Sequence, residues 1–193
     1  MLYHDYMRRH NEIVRCIHLF LCNKYGIIRR KKLRSHSVQE TVSNSEVTIN
    51  VDTRMQTSIK VQANKPDIVV IDKKRKQITL IEIGITSQSQ LKTVETEKKR
   101  KYDILANNMG QMHKMKTKII PWVMTWDGIV TKLHRQYLKD LGINSTIEAY
   151  MQSVVIKKTL ESVSLDYRRN KGTIEESQVE EMKLVEETRR MSL

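Results

Sequence analysis

The sequence predicts an α/β domain with a mixed central sheet flanked by helices and followed by further helices. Two observations carry this. The periodic segments run in the order helix, strand, strand, strand, helix, strand, helices, which suits one layered α/β system. The apolar runs "IVVID" and "QITLIEIGI" show little alternation, as strands covered on both faces do.

The elements follow in order. From Leu2 to Tyr25, Ile13, Val14, Ile17, Phe20 and Leu21 recur at helical spacing, and Gly26 is a stop signal. "SEVTINVDTR" alternates enough for a strand near residues 46–53, after the basic connector "IIRRKKLRSHS". "IVVID" and "QITLIEIGI" are joined by "KKRK". Residues 88–109 return to a helical period, closed by Asn107, Asn108 and Gly110. "TKIIPWVMTW" reads as a strand whose Pro121 asks for an edge or a bulge. Trp122 and Trp126 would share its face, with core packing expected ahead of base stacking. "TKLHRQYLKDLG" and "STIEAYMQSVVIKKTLESV" are helices, the second capped by Ser145 or Thr146.

The 193 residues suit one domain with extensions, divided here as 1–144, a packing helix 145–167, and a polar linker with an acidic helical tail, 168–193. The formal charge is +13. Residues 171–193 hold six glutamates against Lys171, Lys183, Arg189 and Arg190, so residues 1–170 carry +15. That excess points to a polyanion such as nucleic acid or an anionic membrane surface. Cys16 and Cys22 lie six apart on a helix and imply no disulfide. No apolar run approaches the ~20 residues of a membrane span. The expectation is a soluble, intracellular protein with no membrane partner, placed in the nucleus.

A four-residue hairpin loop at "KKRK" pairs Asp72 with Gln77 and brings Asp67 opposite Glu82. Opposed carboxylates point to one face with Cβ atoms roughly 5 Å apart and repel each other. A divalent cation between them removes the penalty, and Mg²⁺, or Mn²⁺ in its place, takes such oxygen ligands. The backbone carbonyl of Ile83 is a further candidate ligand. On the helix over 88–109, Val94, Leu105, Leu91, Met109 and Tyr102 fall within an arc of about 80° with Lys98 near its centre. Lys101 lies at the edge of the arc, while Lys99 and Arg100 point away. An inward lysine needs a partner, and the Asp67/Glu82 pair supplies one. Gly84 removes the side chain that would obstruct the approach.

Pro66-Asp67 followed by Glu82 resembles the signature of the restriction-endonuclease-like superfamily, except that Gly84 stands where the lysine is expected. With "EKKRKYDILA" and "RRHNEIVRCIH", the chain looks like the restriction-like endonuclease domain of early-branching, site-specific non-LTR retrotransposon polyproteins, over about residues 6–142. In that family the lysine sits on the helix after the second acid, four residues before a tyrosine, as Lys98 and Tyr102 do.

The resemblance implies an αβββαβ core and a nuclease domain at 1–144. It implies Mg²⁺-dependent hydrolysis of a DNA phosphodiester, nicking target DNA to expose a 3′ hydroxyl that primes reverse transcription. Asp67 and Glu82 would hold the metal. Lys98 would orient the nucleophile or stabilise the transition state, and Tyr102 would hold Lys98 or touch the phosphate. His10, on the apolar face of the first helix, takes the slot where related Holliday-junction resolvases carry a glutamate; Glu12 lies opposite that face. Arg9, Arg29, Arg30, Lys31, Lys32, Lys73, Lys74, Arg75 and Lys101 are candidate backbone-phosphate contacts. The family's polyproteins also carry a reverse transcriptase and a Cys/His zinc knuckle, absent from this chain. A larger polyprotein is therefore one context for it, and its oligomeric state stays open. The competing readings are an inactive DNA-binding remnant and a junction-resolving nuclease.

Overall fold

The computed structural model describes residues 3–28, 33–165 and 167. Arg29, Arg30, Lys31 and Lys32, and the tail 168–193, lie outside the described residues. Helix α1 (Tyr3–Lys24) is followed by strands β1 (Thr41–Ser43), β2 (Val47–Val51), β3 (Ile68–Asp72) and β4 (Gln77–Thr86). Then come α2 (Leu91–Lys101), α3 (Asp103–His113), β5 (Lys116–Thr125), α4 (His134–Leu141) and α5, helical over 145–165. The mixed α/β architecture is thus the one the patterning predicts, with one unanticipated strand. Thr41–Ser43 is too short to carry a period-two signal, yet it pairs with β2 at the edge.

The sheet order is β1-β2-β3-β4-β5, antiparallel from β1 to β4 and parallel between β4 and β5. β5 is an edge strand, which is why Pro121 is tolerated within it. Trp122 is fully buried, but Trp126 lies beyond the end of β5 and is partly exposed, so the two do not form one strand face. The strands alternate between two cores. Ile81, Ile83 and Ile85 join Ile13, Ile17 and Leu21 of α1, with Tyr137, Leu141, Met151 and Val155 from α4 and α5. Ile78 and Leu80 join Val69, Tyr102, Leu105 and Met109 under α2 and α3. Burying each such side chain contributes about 1.5–3 kcal/mol, which is what the unbroken apolar runs encode.

Three local expectations are corrected. The single helix over 88–109 is two helices, broken at Tyr102 (φ −110°, ψ 10°), and the second runs past Gly110 to His113. Gly110 is not a stop. A β-carbon there would lie 3.1 Å from the Met115 carbonyl oxygen and from Thr117 Cγ2, so glycine admits the start of β5, and the chain turns instead at Lys114 (φ 52°). α5 is capped by Asn144, whose Oδ1 accepts the Ile147 amide at 2.9 Å, rather than by Ser145 or Thr146. Cys16 and Cys22 are buried free thiols, and no helix among the described residues is long and apolar enough to cross a membrane.

Candidate active site

The β3–β4 hairpin has the register expected from a "KKRK" loop, Asp72↔Gln77 through Ile68↔Ile81. Continued by one pair, it sets Asp67 beside Glu82. The two acids interlock through the backbone: the Asp67 amide donates to Glu82 Oε2 at 3.3 Å, and the Ile83 amide donates to Asp67 Oδ2 at 2.7 Å. Glu82 and Gly84 alternate with Ile83 and so face α2, whose Lys98 donates to Glu82 Oε1 at 3.0 Å. A β-carbon on residue 84 would stand 2.8 Å from Lys98 Cε, 3.1 Å from Cδ and 3.2 Å from Val123 Cγ2. The lysine stem therefore occupies the space that glycine leaves.

α1 closes the other side. His10 Nε2 lies 3.1 Å from Asp67 Oδ2, and Nδ1 faces Asn11 Oδ1 at 3.2 Å. Two oxygen partners suit a doubly protonated ring. Burial pulls the His10 imidazole down, but the Asp67 hydrogen bond and charge, with Asn11, leave it above its ordinary value against the opposing Lys98. Burial likewise pushes the Asp67 carboxyl up, and His10, the Ile83 amide and Lys98 together hold it below the usual carboxylate value. Tyr6, one helical turn before His10, stacks on it with ring centroids 5.7 Å apart. Its phenol is pushed up to about 12 by burial and by the charges of Asp67 and Glu82. Tyr6 was legible at i−4 from His10 on the same helix face, and sequence reasoning passed it over. These groups line a cleft of about 670 Å³ that also touches Glu12, Arg15 and Asp52.

Several assigned residues stand elsewhere. Arg9 is buried, with Nη1 3.4 Å from Thr159 Oγ1 of α5, so it supports the helix packing and does not reach the cleft. The Tyr102 hydroxyl donates to the Lys65 carbonyl at 2.9 Å; it neither holds Lys98 nor reaches solvent. Lys101, expected to meet phosphate, instead donates to Glu82 Oε1 at 3.0 Å beside Lys98. Lys73, Lys74 and Arg75 lie in the turn at the far end of the hairpin, five residues along β4 from Glu82, roughly 17 Å at ~3.3 Å per residue. There Lys74 pairs with Glu46. Glu12 is held by Arg15 at 2.6 Å and takes no part in the acid pair.

The donor set fits a hard divalent cation. Among the described residues no three His, Cys, Asp or Glu side chains gather as a metal cage. A metal here would rest on Asp67, Glu82 and the Ile83 carbonyl, which leaves β4 on the same edge as the amide that bonds Asp67. Two carboxylates with a carbonyl, the rest left to water and phosphate, is the pattern Mg²⁺ takes.

No family model and no curated protein matches the chain. Among solved structures, the N-terminal domain of a reptarenavirus L protein is similar over 76% of this chain and 73% of that one, at 17% identity and a TM-score of 0.36. At that score the likeness assigns no activity.

Proposed function

We propose that the protein is a metal-dependent DNA endonuclease that nicks its target by phosphodiester hydrolysis, of the kind that primes retrotransposon integration. The observation that carries this reading is Lys98, whose stem crosses over Gly84 to set its ammonium 3.0 Å from Glu82 in the cleft that holds Asp67. A lysine displaced from the strand to the helix restores the acid, acid, lysine set that Gly84 appeared to break.

Asp67, Glu82 and the Ile83 carbonyl would hold Mg²⁺, which would lower the pKa of a water at the site and shield phosphate charge. Lys98 is placed to orient the nucleophile or to meet the charge that grows on the phosphate oxygens in the transition state. His10 fixes the orientation of Asp67 from the α1 side, and Tyr102 anchors the backbone at Lys65, two residues before Asp67. The net charge of the chain favours a polyanionic substrate and predicts affinity that falls with salt.

The test is a nicking assay with Mg²⁺ on linear, branched and single-stranded DNA, with Asp67→Ala as control. Cleavage by wild type and none by Asp67→Ala is expected. Cleavage of branched substrates alone moves the assignment to a junction resolvase. DNA binding with no metal-dependent cleavage of any substrate moves it to an inactive DNA-binding remnant.

A further inference from the structure

Two ammonium groups meet one carboxylate oxygen in this cleft. Lys98 Nζ and Lys101 Nζ each lie 3.0 Å from Glu82 Oε1. The two lysines are not equivalent. The Lys98 side chain is 17% exposed, its stem confined over Gly84. The Lys101 side chain is 49% exposed and stands on the last residue of α2. It also stands over the Tyr102 ring, 4.8 Å from the centroid.

The charge balance makes the second lysine consequential. Asp67 and Glu82 carry two negative charges, and Lys98 and Lys101 two positive ones, with His10 adding a third when protonated. The metal-free cluster is therefore already neutralised. A divalent cation entering between the carboxylates adds two charges to a balanced, largely buried group, where Coulomb terms are only partly screened. The repulsion is relieved at least cost when the most exposed cation leaves.

We propose that Lys101 is a displaceable counter-ion: it holds Glu82 in the metal-free protein and releases it to an incoming divalent cation, turning its ammonium into the cleft where a DNA phosphate would lie. The inference rests on the nuclease reading above and concerns Lys101 as a positioning residue. Lys98 remains on Glu82 because its stem is seated over Gly84 and its side chain is largely buried.

The test is Mn²⁺ binding to the full chain without DNA, reading the free ion by electron paramagnetic resonance. Lys101→Ala should tighten Mn²⁺ by about fivefold or more, the scale of a moderate coupling between two ligands of one site. Lys101→Arg should bind as wild type does. Lys99→Ala removes the same charge from the exposed face of α2, where screening is strong, and should change affinity by less than about twofold. Binding that Asp67→Ala abolishes but Lys101→Ala leaves unchanged or weaker overturns this inference alone, as does an equal gain in Lys99→Ala. Absence of any Asp67-dependent Mn²⁺ binding, in wild type and Lys101→Ala alike, overturns the metal-dependent reading and this inference with it.

Discussion

Gly84 and Lys98 share one volume: a β-carbon on residue 84 would stand 2.8 Å from Lys98 Cε. Gly84→Ala should therefore displace the ammonium while leaving the fold intact, because the closest atom belongs to a flexible side chain and Val123 Cγ2, at 3.2 Å, has to give by only a few tenths of an ångström. A displacement near 1 Å costs up to about 10²-fold in rate. Nicking should fall by about ten- to a hundredfold with the unfolding free energy changed by no more than about 1.5 kcal/mol. Undiminished nicking by a folded Gly84→Ala protein contradicts the placement of Lys98 in the chemistry.

Tyr102 acts through the backbone. Tyr102→Phe removes the 2.9 Å donor of the Lys65 carbonyl, at a cost of about 0.5–1.5 kcal/mol. Because Lys65 precedes Asp67 by two residues, the rate should also drop, with metal affinity weakened in step. If the phenol instead served the chemistry directly, the rate would fall with stability and metal affinity unchanged. Denaturant unfolding and metal titration on the same variant separate the two.

Acid should destabilise the fold before the carboxylates titrate. His18 and His134 are buried, and burial, aided for His18 by His36, pulls each ring down to about 4. Between pH 6.5, their ordinary value, and about 4, the unfolded chain binds protons that the folded chain refuses. Stability must therefore fall with pH across that window and level off below it. His10 has the opposite sign. Its raised value contributes stability that is fully present below 6.5 and is lost as pH rises through the folded value. Urea midpoints should thus peak near neutrality. His134→Phe should flatten part of the acid slope, since the ring packs edge-on against Trp122, neither nitrogen makes a hydrogen bond among the described residues, and Glu148 Oε1, 3.6 Å from Nε2, does not offset the burial that pulls the ring down. A stability profile flat from pH 6.5 to 4.5 is the contrary result.

The basic turn should matter only for DNA that reaches it. Replacing Lys73, Lys74 and Arg75 together by alanine should raise KM on a long duplex. It should leave the rate unchanged on a substrate extending less than about five base pairs from the cut toward the turn, since each pair advances ~3.4 Å. An equal loss on both substrates would place the turn nearer the chemistry than the hairpin register allows.

The sequence by itself determined the hairpin. Its two apolar runs, the four-residue loop and period-two geometry set Asp67 beside Glu82, and the helical period of α2 turned Lys98 inward, because each of these depends only on local repeat and spacing. Local repeat also specified His10 on the apolar face of α1. Tertiary structure decided what those repeats cannot express. Arg9 looks like any basic residue next to His10, yet α5, more than 130 residues away, buries it. Tyr102 stands at a helix break and bonds the carbonyl of Lys65, 37 residues earlier, and the KKRK turn is carried to the far end of a hairpin whose other end holds the acids. The partner of Lys101 follows from the same limit. A residue at the edge of a helical arc faces solvent or a carboxylate according to how closely the neighbouring strand approaches, and glycine at position 84 sets that approach.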